Sequence, residues 1–158
     1  MTYHEVDLTE VEALMAVAAG GFMRAESSYF KRKPMHGLAP DADLLAYHIL
    51  GASGELAVAK VLGRYWGGDI RNFKKADLGQ SVQVRTRSKH EYDLIVRHDD
   101  NPDDAYVLVT ATTHTRLRIH GWIYGSEARK DEWLKTYGDR PAAWFVPQSA
   151  LRPLKRKE

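Results

Sequence analysis

Two acids, an amide and a guanidinium have types and spacing that suit a hard metal ion. They are Glu55, in GASGELAVAKVLG, and Asp77, Gln83 and Arg85, in ADLGQSVQVRTR. Gln83 and Arg85 are two positions apart, so on a strand they share a face, and the Val84 carbonyl between them offers a further oxygen. Asp77 would arrive from the turn before that strand, and Glu55 from a packed helix. Phosphodiester hydrolysis with Mg²⁺ or Mn²⁺ requires oxygen ligands on one side of a cleft and a cationic group near the attacking water or the scissile phosphate. The expected metal ligands are Asp77, Glu55, Gln83 and the Val84 carbonyl. Arg85 cannot serve as a base because a guanidinium stays protonated, so its expected role is to brace phosphate charge. Arg87, Lys89 and Arg97 are the candidate nucleic-acid contacts, with simple solubility as their plain alternative.

These side chains need a helix and a strand to carry them. Thr9 to Glu12 reads as a capping box, and Val11, Leu14, Met15, Ala18 and Phe22 follow on one helical face. Gly20-Gly21 is expected to end that helix near Ala19, and Ser27 to Pro40, with its KRK run, reads as a loop. Asp41 or Asp43 can cap a second helix running to about Leu62 and ending at Gly63. Its stripe places Glu55 on the buried face or at its border, where a carboxylate needs a metal or a basic partner. A surface salt bridge is the alternative for Glu55.

Downstream, Ile70 to Lys74 is a possible first strand, and Val82 to Arg87 alternates with period two. Further strands are expected at Asp93 to Arg97, Tyr106 to Ala111 and Arg116 to Trp122. A short helix is expected around Ser126 to Thr136, then a last strand at Ala143 to Val146. The four aspartates between Asp99 and Asp104 read as a solvated hairpin tip, because they lack the glycine and distal glutamate of a calcium loop.

The length of 158 residues, with 44% hydrophobic and 10% aromatic residues, suits one domain with a real core. Residues 1–40 form the expected N-terminal helix and basic loop, and residues 41–154 the core. The net charge is only +2, but the lysines and arginines are clustered, which suits a polyanionic partner. With no cysteine, thiolate metal sites, disulfides and cysteine nucleophiles are excluded. The histidines are scattered, only His114 and His120 being close in sequence, without the spacing of a zinc site. No serine sits in a nucleophile-elbow motif, and GWIYG lacks the glycines of a phosphate-binding loop. No signal peptide or membrane-length apolar run is apparent, so a cytoplasmic protein is expected.

With Glu55 in GELAVAKVLG, Asp77 in ADLG and Gln83-Val84-Arg85 in the place of the (D/E)xK triplet, the chain resembles the PD-(D/E)xK nuclease superfamily. It is also similar to a group of phage and prophage proteins with GELAVAK, a Tyr-Trp pair, DLG before QVRTR, LIVRHDD, GWIYG and WFVPQSAL in the same order, from Gly51 to Leu151. The resemblance implies an α/β fold with a restriction-endonuclease-like core, a central mixed β-sheet flanked by helices. It also implies Mg²⁺-dependent endo- or exonucleolytic hydrolysis of DNA. The chain departs from the pattern where a carboxylate and a lysine usually stand and Gln83 and Arg85 are found. That departure motivates the alternative, a catalytically inactive nuclease-fold protein that binds DNA or a host or phage protein partner.

Overall fold

The computed structural model describes residues 2–29, 43–68 and 76–158. After a short strand, β1 (His4–Asp7), Thr9 starts the first helix, α1 (Glu10–Tyr29). The Thr9 hydroxyl accepts from the Glu12 amide at 3.2 Å, and the Glu12 carboxylate accepts from the Thr9 amide at 2.8 Å, a complete capping box. Asp43 caps the second helix, α2 (Leu44–Leu62), by accepting from the Ala46 amide at 3.0 Å. Gly63, at φ 60°, closes it with a left-handed residue.

Four strands build the main sheet: β1, β2 (Val82–Arg87), β4 (Ala105–Thr110) and β5 (Arg116–Tyr124), β3 being Leu94–Val96. The order is β1-β5-β4-β2, with β2 parallel to β4 and the other pairs antiparallel. The protein is thus α/β with a mixed sheet. After β5 come a four-residue helix, α3 (Gly125–Ala128), and the strands β6 (Leu134–Lys135) and β7 (Ala143–Val146). β3, β7 and β6 form a second, antiparallel sheet.

Alternation along the strands divides the core into two layers. Val84, Val107, Val109, Leu117 and Ile119 meet Leu56, Val58 and Val61 of α2 on one face. On the other, Tyr106, Leu108 and Ile123 meet Leu94, Val96, Trp144 and Val146 of the small sheet and its surroundings. The parity of β2 therefore matters: Val82, Val84 and Thr86 face α2, and Gln83, Arg85 and Arg87 face the small-sheet side. Helix and strand close together at Gly54, where an added Cβ would lie 1.8 Å from the Thr86 hydroxyl oxygen.

Several expectations change. α1 runs through Gly20-Gly21 to Tyr29, because Gly20 is where α2 crosses, and a Cβ there would come within 2.6 Å of the Ile49 Cα. The small residues Ala16, Ala19 and Gly20 consequently form the buried side of α1, and the large stripe of Val11, Leu14, Met15 and Phe22 faces outward. Ser27 to Tyr29 are helical, not loop. The strand expected at Ile70 to Lys74, and the KRK run, lie outside the described residues. The helix expected from Ser126 to Thr136 is instead α3, a 3-10 turn at Asp131–Trp133, and β6. By length and composition alone α2 is long and apolar enough to cross a membrane, a test that buried core helices also pass, and in this fold Ala52 to Ala57, except Glu55, are buried in the core.

Gly54→Ala is expected to lower the unfolding free energy by about 2–3 kcal/mol through overpacking against Thr86. Gly51→Ala, where an added Cβ meets nothing within 4 Å, is expected to be neutral or slightly stabilising. Chemical denaturation of the two variants side by side checks this.

Candidate functional site

The start of β2 gathers three of the expected residues. Asp77 lies in a bend just before a tight reversal in which Leu78 bridges to Val82. The carbonyls of Ser81 and Arg87 accept from Ala105 and Ala111, so alternate residues of β2 turn their peptide groups toward β4. Val84 turns its own away from β4, where its amide donates to the Asp77 carboxylate at 2.6 Å. Burial pushes the Asp77 carboxyl above the usual range, with Asp100 and Asp104 adding to the effect and the Val84 amide and Arg85 opposing it.

Gln83 and Arg85 share the opposite face of the strand from α2, and each is held by an acid. Gln83 donates from its amide nitrogen to Asp104 at 3.0 Å. The Arg85 guanidinium pairs with Asp100 at 2.8 Å and stacks over the Tyr106 ring at 5.1 Å. Asp100 is fixed in turn, its second oxygen accepting from the Arg97 amide at 2.8 Å. Asp104 is only 6% exposed, so the acidic turn is no solvated tip. Two of its members point inward to satisfy polar groups on a packed strand, and spacing alone did not reveal it.

Glu55 comes from the other side of the sheet. Its carboxylate accepts from the Trp66 indole nitrogen at 3.2 Å, and it is half-buried. The structure thus brings Asp77, Gln83, Arg85 and the Val84 peptide together, and places Glu55 on the α2 layer. Among the described residues, no three histidine, aspartate or glutamate side chains are grouped so as to hold a metal ion.

The far end of β2 is basic. Arg87 donates to the Asp93 carbonyl at 2.6 Å and lies over the Tyr92 ring at 4.4 Å, with the Lys89 ammonium 5.5 Å from the same ring. Arg97 directly follows β3 and is half-buried. Beside this end the buried Thr110 hydroxyl lies 2.8 Å from His90 Nδ1 and 2.6 Å from His120 Nε2. A hydroxyl has one proton, so it can donate to only one of these rings at a time. Burial, with His90 and Arg118 contributing, brings the His120 imidazole down to about 4. His120 lies at the irregular step of β5 opposite Leu108 and Val109, and this bulge, not any sequence spacing, partners it with His90 in place of His114.

Because the folded protein holds Asp77 with a raised carboxyl, burying its charge costs stability above that range, and the cost disappears below the unfolded value near 3.8. Asp77→Asn, which keeps an oxygen for the Val84 amide, is expected to melt higher than wild type at neutral pH, with the gap shrinking as pH falls toward 4. Thermal melts across that range check it, and a pH-independent loss of stability would count against it. Comparison with protein-family models, curated proteins and solved structures finds no match for this chain.

Proposed function

We propose that this chain is a nucleic-acid-binding protein on a restriction-endonuclease-like core, with DNA as its partner and with Gln83 and Arg85 serving the fold instead of hydrolysis. The observation that carries this reading is the pairing of those two side chains with Asp104 and Asp100, while Arg87 and Lys89 at the far end of β2, and Arg97 after β3, meet no carboxylate at ion-pair distance among the described residues. Guanidinium and ammonium groups of this kind neutralise phosphates and make binding salt-dependent.

Mg²⁺-dependent cleavage of DNA is the second reading. It is favoured by the buried Asp77 carboxylate beside the Val84 peptide, on the side of β2 away from β4.

Anisotropy titrations with duplex DNA, single-stranded DNA and RNA, with EDTA or Mg²⁺, separate these readings, together with plasmid incubation in Mg²⁺ or Mn²⁺. The expected result is DNA binding that weakens with salt, is indifferent to Mg²⁺ and leaves the plasmid intact. Metal-dependent scission that Asp77→Ala abolishes would establish the second reading. A protein without affinity for any nucleic acid would refute the first and leave a protein partner as the alternative.

A further inference from the structure

The first helix is apolar on two sides. Ala16, Ala19 and Gly20 form its buried side, while Val11, Met15, Ala18, Phe22, Ala25 and Tyr29 run down another and are all exposed. Their spacing alternates between four and three residues, which keeps them on one straight stripe along the helix, and Leu14 widens it. No charged residue stands on the stripe. Its large side chains leave between 46% and 82% of their surface exposed. A helix that is apolar all round belongs in an interior, so this face calls for a cover.

The apolar surface continues past the helix. Met15, Ala18 and Phe22 also line a groove of about 380 Å³ whose other wall is the segment Tyr65 to Gly68. A whole aromatic side chain presents about 150–250 Å², so the exposed parts of the stripe amount to on the order of 600 Å². Two such faces together remove about 1,200 Å² from water, above the roughly 1,000 Å² that a specific interface needs. Charge narrows the choice of occupant. α1 carries three glutamates, Glu10, Glu12 and Glu26, against one arginine, Arg24, whereas a helix lying on anionic lipid has a polar face rich in lysine and arginine. An uncharged stripe of large residues with alanines between them is complementary to a copy of itself run in the opposite direction.

We propose that the exposed face of α1 is the interface of a homodimer, in which two copies pack their α1 helices antiparallel about a two-fold axis at Ala18. The small side chain at the axis lets the helices approach closely. The register then sets Phe22 of each copy opposite Leu14 of the other, and Val11 opposite Ala25. Opposed helix dipoles favour the same direction. The dimer does not depend on the nucleic-acid-binding reading.

Sedimentation velocity of the full chain over a concentration series tests this, on wild type, Phe22→Glu, Leu14→Glu and Tyr137→Glu, with a thermal melt of each. Wild type is expected to dimerise with a dissociation constant of roughly micromolar or tighter. Phe22→Glu and Leu14→Glu put a charge on the stripe and are expected to weaken the dimer about a hundredfold while melting as wild type does. Tyr137→Glu alters an exposed aromatic in the β6–β7 loop and should dimerise normally. Because the chain has no cysteine, single substitutions report the register. Oxidised Ala18→Cys is expected to yield a disulfide-linked dimer, and Val11→Cys is not, since its two copies would stand about 21 Å apart along the helices. Cross-linking of both, or of neither in variants that still dimerise, overturns the antiparallel axis at Ala18. Undiminished dimerisation of Phe22→Glu and Leu14→Glu overturns α1 as the interface. A wild type that stays monomeric at about a hundred times the expected constant overturns the dimer, and binding to phosphatidylglycerol vesicles that Phe22→Glu removes would then assign the face to lipid.

Discussion

A guanidinium cannot give up its charge, so Arg85, on a strand face packed toward a second sheet, must meet an anion. Asp100 is that anion, and much of the surrounding structure follows from supplying it. The chain leaves β3 at Val96 and turns at once, so that the Asp100 carboxylate reaches back to the Arg97 amide and across to Arg85. Arg129 donates to the Asp100 carbonyl at 2.7 Å and stacks on Trp144, tying the same turn to β7. Asp104 then meets Gln83, and its carbonyl accepts from the Gly125 amide, so the turn also anchors the start of α3. The polar residues of β2 thereby hold the two sheets together.

This use of Gln83 and Arg85 changes what a PD-(D/E)xK-like pattern means in this chain. The positions are filled, the strand has the expected period, and Asp77 stands before it. Yet the side chains that would face a substrate face an internal acidic turn, and Glu55 lies on the α2 layer with Trp66. Cationic side chains remain at the other end of β2, where Arg87 and Lys89 lie at the Tyr92 ring, and past the end of β3, where Arg97 follows Val96.

Local signals in the sequence were readable wherever neighbouring residues decide the outcome. The capping box at Thr9, the Asp43 cap, the Gly63 stop and the alternation of Val82 to Arg87 all depend on short spacings, and all are found. What was not legible depends on contacts between distant segments. Gly20-Gly21 looked like a helix end because its Cβ-free surface mattered only once Ile49 lay against it. The large apolar stripe of α1 looked like its buried face for the same reason. Asp100 and Asp104 looked solvated because their partners, Arg85 and Gln83, are remote in sequence. β1 is only four residues long, with Val6 as its one buried side chain, and its pairing with β5 leaves no periodic trace.

A double-mutant cycle between Arg85 and Asp100 measures most directly whether Arg85 is a structural cation. Arg85→Met, Asp100→Asn and the double variant would be followed by chemical denaturation and by duplex binding. The expected outcome is a coupling free energy of about 1–2 kcal/mol, discounted for the partial exposure of the pair, with DNA affinity retained in each folded variant. Negligible coupling, together with loss of binding or cleavage in Arg85→Met at unchanged stability, would contradict it and return Arg85 to the role of a phosphate-bracing residue.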